Sequence, residues 1–105
     1  GEGRGLAALQ ETLHARRDSA PEGSYTRRLF DDSELLAAKL TEEAQELAEA
    51  STREEVAHEA ADVLYFASVA MARAGVTFAA VEAELDRRAL KVSRRPGNAK
   101  TELRS

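Results

Sequence analysis

Two groups of carboxylates at helical spacing constrain the fold of this chain more than any other feature. They lie in the segments EEAQE and EAAD, and the five acids are Glu42, Glu43, Glu46, Glu59 and Asp62. Residues three and four apart lie on one face of an α-helix, so each group forms a compact acidic patch. Like charges at this spacing weaken an isolated helix by about 0.2–0.5 kcal/mol per pair, and a bound divalent cation would offset that cost. The pattern predicts two helices that share a metal site.

These acids interrupt apolar stripes. The first stripe contains Glu43 and the apolar residues Leu36, Leu40 and Leu47. The second contains two acids and two apolar residues, Glu59, Asp62, Phe66 and Val69. Carboxylates at a helix interface have to be paired, protonated or bound to metal. Oxygen ligands without cysteine favour Mg²⁺, with Mn²⁺ as a substitute, over zinc.

The length and composition of the chain indicate one domain, residues 1–105. Hydrophobic residues make up 43% of the chain, enough for a core that buries about 60–70% of the unfolded surface. Aromatic residues make up only 5%, so the core of a monomer would be thin and we expect a homodimer at least. The net charge of −4 argues against a nucleic-acid-binding surface.

The absence of cysteine from the sequence excludes disulfides and thiol catalysis. No apolar run approaches 18 residues and no signal-peptide pattern is present, so we expect a soluble, cytoplasmic protein without a membrane partner. Gly1 stands where an initiator Met would, and we take this to indicate processing or excision from a longer chain.

Apolar periodicity predicts four helices and no strand. Their expected ranges are 6–17, 33 to about 50, 53–74 and 78 to about 91. The predicted end signals are an N-cap at Asp32 or Ser33, a capping box of Thr52 and Glu55, a stop at Gly75 and an N-cap at Thr77. The segment 18–30 lacks periodicity and contains Pro21 and Gly23, so it is predicted to be a loop.

The third predicted helix carries a stripe of small apolar side chains that we expect to face inward. Its members are Val56, Ala60, Val63, Ala67, Ala70 and Ala74. The connector around Ser51 and Thr52 is short, so the second and third helices should form an antiparallel hairpin. Such a hairpin brings the two acidic groups opposite each other.

Four segments together resemble one known family. The segments PEGSYTRRLF, KLTEEAQELAEA, EVAHEAADVLYF and LDRRALKVSRRPGNAK are similar to phosphoribosyl-ATP pyrophosphohydrolase of histidine biosynthesis, over residues 6–100. The EExxE and ExxD motifs alone resemble the wider MazG-like, all-α superfamily of NTP pyrophosphohydrolases. The SYTxxLF segment and the RRPGNAK tail narrow the resemblance to the first family.

This resemblance implies a four-helix, MazG-like bundle that forms dimers and binds a nucleotide. It also implies a hydrolase that requires Mg²⁺ and converts 1-(5-phosphoribosyl)-ATP to 1-(5-phosphoribosyl)-AMP and pyrophosphate, the second step of L-histidine biosynthesis. By position, the residues that resemble the family's metal ligands are Glu43, Glu46, Glu59 and Asp62. Glu42 is either a further ligand or the carboxylate that orients the attacking water.

Hydroxyl and basic groups are the expected contacts to the substrate. The residues are Ser24, Tyr25, Thr26, Lys39, Arg94, Arg95 and Lys100. Lys39 has an alternative role, because it lies one turn before Glu42 and Glu43 and can neutralise them. His58 is interpreted as a surface residue or a neighbour of the ligands, since a hard ion does not favour imidazole.

Two rival functions remain. The first is a MazG-like housekeeping pyrophosphohydrolase that acts on a free (deoxy)nucleoside triphosphate with the same five acids. The second is a helical interaction module whose acids pair with basic residues across a dimer. The sequence also leaves open the number of metal ions, the phosphorus attacked, contributions from a neighbouring subunit, and fusion to phosphoribosyl-AMP cyclohydrolase.

Overall fold

Helices form all the regular structure in the part of the chain that can be described. The computed structural model describes residues 4–93, with side chains through Ala89. The helices are α1 (Gly5–Ser19), α2 (Tyr25–Asp31), α3 (Ser33–Glu49), α4 (Arg53–Ala74) and α5 (Phe78–Ser93). The predicted all-α fold is confirmed, but these residues contain five helices where four were predicted.

The ends of α3 and α4 are set by local hydrogen bonds, as the sequence predicts. The Asp32 carboxylate accepts hydrogen bonds from two backbone N–H groups in the first turn of α3. Thr52 and Glu55 form the reciprocal capping box of α4. Gly75 ends α4 in the left-handed conformation, with φ of +73°, which glycine adopts without a steric penalty.

Helix α2 corrects the prediction that residues 18–30 form a loop. The Ser24 hydroxyl accepts a hydrogen bond of 3.1 Å from the backbone N–H of Arg27 and caps the helix. Leu29 is fully buried and Phe30 is 7% exposed, so α2 contributes to the core. Seven residues make less than two turns. That length is too short for a helical period to be recognised.

The core lies where α1, α2, α3 and α4 meet. Its buried apolar side chains are Leu13, Leu29, Phe30, Leu36, Phe66, Val69 and Ala72. Helices α3 and α4 form the antiparallel hairpin, and their mutual contact is the most extensive in the described residues. Helix α1 packs on α4, where Arg17 donates a hydrogen bond of 3.1 Å from Nη1 to the carbonyl of Ala72.

The predicted inward stripe of α4 is only partly confirmed. The buried residues of α4 are Phe66, Ser68, Val69 and Ala72, on the side that faces the core. Val56 is 42% exposed and Ala74 is also exposed, whereas Ala70 packs against the core, so only part of the predicted stripe faces inward. We call the incompletely covered apolar side of α4 the outer face, and it comprises Val56, Ala60, Val63, Leu64, Ala67, Met71 and Ala74.

Helix α5 begins after a short break that follows Gly75. The Thr77 hydroxyl accepts a hydrogen bond of 3.1 Å from the backbone N–H of Ala80, so the predicted cap is confirmed. The side chain of Gln10, on α1, accepts a hydrogen bond from the backbone N–H of Phe78. No single helix of the described residues is long and apolar enough to cross a membrane. The pair of α4 and α5 meets the length and composition test only together, with a bend of 108° between them.

Candidate active site

The α3–α4 hairpin brings the two acidic groups against each other. Each group has ligand atoms within 4.8 Å of one another, and the groups are Glu42, Glu43 and Glu46 on α3, and His58, Glu59 and Asp62 on α4. Across the hairpin, Glu43 lies against Asp62 and Glu46 lies against Glu59. The short, capped connector holds the helices in this register, as the sequence predicts.

Glu43 is the only charged residue that is buried within the described part of the chain, at 8% exposed. Burial is the largest cause that raises the pKa of its carboxyl group to about 7. Hydrogen bonding with Asp62 and the negative charge of Glu46 raise this pKa further. Carboxylates that lie close together and are partly removed from water are stabilised by binding either a proton or a cation.

Glu46 and Glu59 border a cleft of about 220 Å³ near the connector end of the hairpin, and the other residues that line it are Glu49, Ala50 and Glu55. Partial removal from water, followed by the charge of Glu59, raises the pKa of Glu46. Glu59 has a buried Oε1 atom without a hydrogen-bond partner in the described residues. An orphaned carboxylate oxygen within an all-oxygen donor set fits a hard divalent cation.

Lys39 and Tyr25 lie at the rim of the acidic groups. Lys39 Nζ is 3.1 Å from Glu42 Oε1, and this hydrogen bond is the largest cause that raises the pKa of Lys39. Tyr25, the first residue of α2, is close enough to Lys39 to contribute to the same shift. The start of α2 is therefore a neighbour of the acidic site, and Lys39 does pair with Glu42.

Of the other residues predicted to contact substrate, two lie at the start of α2 and three lie outside the described residues. The Ser24 hydroxyl is occupied, because it caps α2 and donates a hydrogen bond of 2.7 Å to the carbonyl of Pro21. Thr26 is half-buried in the first turn of α2. The three basic residues of the tail lie outside the described residues, and they are Arg94, Arg95 and Lys100.

His58 lies on the surface beside the ligand candidates, as predicted. Its side chain is 72% exposed, with Nε2 at 3.5 Å from Asp62 Oδ2. An exposed pair of this kind contributes little to stability.

Sequence reasoning missed two acids that line the cleft. Glu49 follows Glu46 at the three-residue spacing of the EExxE motif, and this repeat was the available signal. Glu55 precedes Glu59 by one turn, but its carboxylate accepts hydrogen bonds from the backbone N–H groups of Ser51 and Thr52. These bonds, with Ser51 first, lower the pKa of Glu55 and commit it to the helix cap.

The fold and the site define an all-α protein in which two antiparallel helices join opposed carboxylates into one acidic site. A family model described as phosphoribosyl-ATP pyrophosphohydrolase matches residues 6–89. The chain belongs to this family, and the resemblance predicted from its motifs is confirmed.

Relatives of two kinds match the chain. It is 56% identical over 100 residues to a histidine biosynthesis trifunctional protein of Komagataella pastoris, and 57% identical over 97 residues to that of Candida albicans. These matches cover 95% and 92% of this chain but only 12% of each relative. It is 41% identical over 90 residues to a phosphoribosyl-ATP pyrophosphatase of Rhodopirellula baltica, covering 79% of this chain and 75% of that protein. No solved structure matches the chain significantly.

Proposed function

We propose that this chain hydrolyses 1-(5-phosphoribosyl)-ATP to 1-(5-phosphoribosyl)-AMP and pyrophosphate, in the second step of histidine biosynthesis. Membership of the family supports the substrate, and the opposed acids support the chemistry. The single observation that carries the proposal is the buried Glu43 carboxyl held against Asp62 across the hairpin. We further propose that the chain acts in the cytoplasm as a homodimer.

Four carboxylates would hold Mg²⁺ in this proposal, and they are Glu43, Glu46, Glu59 and Asp62. When bound, the ion supplies charge neutralisation for the phosphate oxygens and activates water. Glu42 is exposed and bonded to Lys39, so its carboxylate is accessible either as a further ligand or as the acceptor of the water's proton.

The phosphates of the substrate require basic and hydroxyl groups beyond the metal. Lys39 bonds to Glu42, and Tyr25 is close enough to raise the pKa of Lys39, so an ammonium group and a phenol are available near the edge of the acidic site. We assign the phosphate contacts to these two residues and to Thr26. The tail residues Arg94, Arg95 and Lys100 remain proposed contacts to phosphate.

The test is pyrophosphate release from phosphoribosyl-ATP beside ATP, dCTP and dUTP, with and without Mg²⁺. We expect rapid, Mg²⁺-dependent turnover of phosphoribosyl-ATP alone. Glu43→Gln and Asp62→Asn should abolish turnover with helical content unchanged, because removing a buried like charge does not weaken the hairpin. Glu11→Gln is the matched control, since Glu11 is exposed on α1 away from the site.

The other outcomes would each reject the proposal in a different way. Preference for a free deoxynucleotide would assign the chain to housekeeping pyrophosphohydrolysis with the same acids. No turnover of any substrate with Mg²⁺ or Mn²⁺ would favour an interaction module. Unfolding of either acid variant would mean that the carboxylates are structural.

A further inference from the structure

Helix α2 brings side chains to the rim of the acidic site, but it is too short to hold its own position. It has seven residues, and an isolated helix of that length is at most marginally stable in water. Its C-terminal end is fixed by the buried Leu29 and Phe30 and by Asp32, which also caps α3. Its first turn, which begins with Tyr25, is less buried and needs a contact of its own.

The side chain of Arg27 supplies this contact. Arg27 Nη2 donates a hydrogen bond of 2.7 Å to the carbonyl of Arg17 in the last turn of α1. The last carbonyls of a helix have no partner within the helix and lie at the negative end of its dipole, so a guanidinium is a favourable partner there. Arg27 therefore joins the first turn of α2 to the end of α1.

Two further contacts hold the guanidinium of Arg27 in place. Its Nε lies 3.3 Å from Asp31 Oδ2, and its Cζ lies 5.9 Å from the centre of the Phe30 ring. The Arg27 side chain is only 22% exposed. A planar guanidinium can contact a carbonyl, a carboxylate and an aromatic ring at once, which a lysine ammonium cannot do in the same geometry. These contacts commit Arg27 to the fold rather than to a ligand.

The end of α1 is itself fixed to the hairpin that carries the acids. Arg17 Nη1 donates a hydrogen bond of 3.1 Å to the carbonyl of Ala72, in the last turn of α4. The two arginines therefore connect α2 to α1 and α1 to α4, each through a carbonyl near the end of a helix. This route fixes the position of α2 relative to the helix that carries Glu59 and Asp62.

The residues next to Arg27 are those at the rim of the acidic site. Tyr25 is 43% exposed and lies close to Lys39, so a substrate can reach both side chains. Thr26 follows Tyr25 in the same turn of α2. Because both residues directly precede Arg27, a turn that shifts at Arg27 moves both of them.

We propose that Arg27 is a positioning residue for substrate binding: its bond to the end of α1 holds Tyr25 and Thr26 at the rim of the acidic site, where they contact the phosphates of the substrate. The role of Tyr25 and Thr26 rests on the proposed function. The anchoring of α2 does not, and it can be measured without substrate.

Hydrogen exchange tests the anchor in the free protein. Arg27→Gln removes the guanidinium and keeps a good helix former. The amides of α2 should exchange about tenfold faster, because a hydrogen bond from a charged group is lost, and those of the α3–α4 hairpin should be unchanged. Arg28→Gln, the same change at the exposed neighbouring position, is the control. Equal exchange of α2 in the two variants would overturn the proposal.

A milder pair of variants covers the case in which Arg27→Gln does not fold. Arg27→Lys retains the positive charge but loses the planar group, and Arg28→Lys is its matched control. Faster exchange of α2 in Arg27→Lys alone supports the anchor, and equal exchange in the pair overturns it.

Steady-state kinetics tests what the anchor does for the substrate. Arg27→Gln should raise KM for phosphoribosyl-ATP by about tenfold with kcat nearly unchanged, because contacts at the rim bind substrate and transition state alike. Arg28→Gln should change neither constant. A fall in kcat of Arg27→Gln without a rise in KM would overturn the positioning role.

A combined variant separates positioning from direct contact with the substrate. In protein that carries Tyr25→Phe and Thr26→Val, the hydroxyl groups that Arg27 positions are absent. Arg27→Gln should then raise KM by less than about twofold, since residues that act through one another have non-additive effects. An undiminished rise in this background would mean that Arg27 acts in another way, and the proposal would be overturned.

Failure of the proposed function would give a different result. If the unchanged protein does not hydrolyse phosphoribosyl-ATP, the function is rejected, and the substrate contacts of Tyr25 and Thr26 are rejected with it. If the unchanged protein does hydrolyse it and Arg27→Gln has the same KM, only the positioning role is overturned.

Discussion

Glu43 occupies a position in the apolar stripe of α3 where a leucine would pack without cost. Its burial was predictable because the stripe is a local pattern and a carboxylate within it has to turn inward. The proximity of Tyr25 to Lys39 was not predictable, because it depends on the placement of a helix that the sequence did not reveal. Roles that follow from one helix, or from two helices joined by a short connector, could be predicted, whereas a role that depends on the placement of α2 could not.

The raised pKa of Glu43 predicts a pH dependence of stability in metal-free protein. The pKa of this carboxyl is about 7 in the folded chain, against 4.5 as its ordinary value in an unfolded chain. Between these two pH values the folded chain therefore binds one proton more than the unfolded chain. The stabilisation is therefore fully present below pH 4.5 and is lost as the pH rises to about 7. Thermal unfolding in a chelator should show the midpoint falling across this window.

The matched variants isolate the residue responsible. Glu43→Gln should flatten the pH dependence, whereas Glu11→Gln should leave it unchanged. Adding Mg²⁺ should also reduce the fall of the midpoint with pH. A cation that binds only the folded state stabilises it at the higher pH values, at which Glu43 has lost its proton. If the midpoint of Glu43→Gln depends on pH as strongly as that of the unchanged protein, another group is responsible for the effect.

Helix α2 marks the limit of local prediction among the secondary-structure elements. The boundaries of α3 and α4 were predictable because Asp32, Thr52 and Gly75 act on adjacent backbone groups. Helix α2 has a cap of the same kind at Ser24, but it is too short to show a period and follows residues that favour turns. Its stability comes from packing against the core, which the sequence does not display.

Leu29→Ala should measure how much α2 contributes to the core. Leu29 is fully buried, so the change should reduce the free energy of unfolding by about 2–5 kcal/mol, from lost burial and the cavity left behind. Arg28→Ala, on the exposed side of the same helix, should change it little. Urea unfolding followed by circular dichroism gives both values. Equal, small losses would mean that this segment behaves as a loop.

Thr52→Ala should show the cost of the capping box that opens α4. The change leaves one backbone N–H in the first turn without its acceptor and should cost about 1 kcal/mol. Thr41→Ala, in the exposed middle of α3, is the control because it removes the same hydroxyl without touching a cap. Chemical denaturation measures the free energy of unfolding of the two variants. If Thr52→Ala loses no more of this free energy than Thr41→Ala does, the predicted cost of the capping box is contradicted.

At the scale of the whole molecule, α4 has apolar residues on two sides, and only one side faces the chain's own core. Periodicity identified two inward stripes on this helix, and only the stripe that contains Phe66 and Val69 is buried throughout its apolar part, because a repeat of valine and alanine has the same appearance whether it is covered or not. Phe66 and Val69 decide the matter, since they fill the space beneath α1 and α3. Three-dimensional packing was needed to separate the two faces.

The uncovered face predicts that stability depends on protein concentration. If a second copy covers α4, dilution shifts the chain toward monomers and the thermal midpoint should fall with it. Leu64→Glu should remove this dependence without harming the single chain, because Leu64 is exposed there. Differential scanning calorimetry at protein concentrations that span roughly a hundredfold range measures the shift of the thermal midpoint. A midpoint independent of concentration in the unchanged protein would contradict the prediction.

The two hydrogen bonds of α1 have a consequence for the order in which the molecule is assembled. Arg17 bonds to Ala72, 55 positions later, and Gln10 bonds to Phe78, 68 positions later. The α3–α4 hairpin, by contrast, closes over a short connector, and short loops close with a smaller entropic cost. During synthesis α1 can therefore meet α2 early, through the hydrogen bond from Arg27 to the carbonyl of Arg17, but it completes its packing only after the end of α4 has left the ribosome.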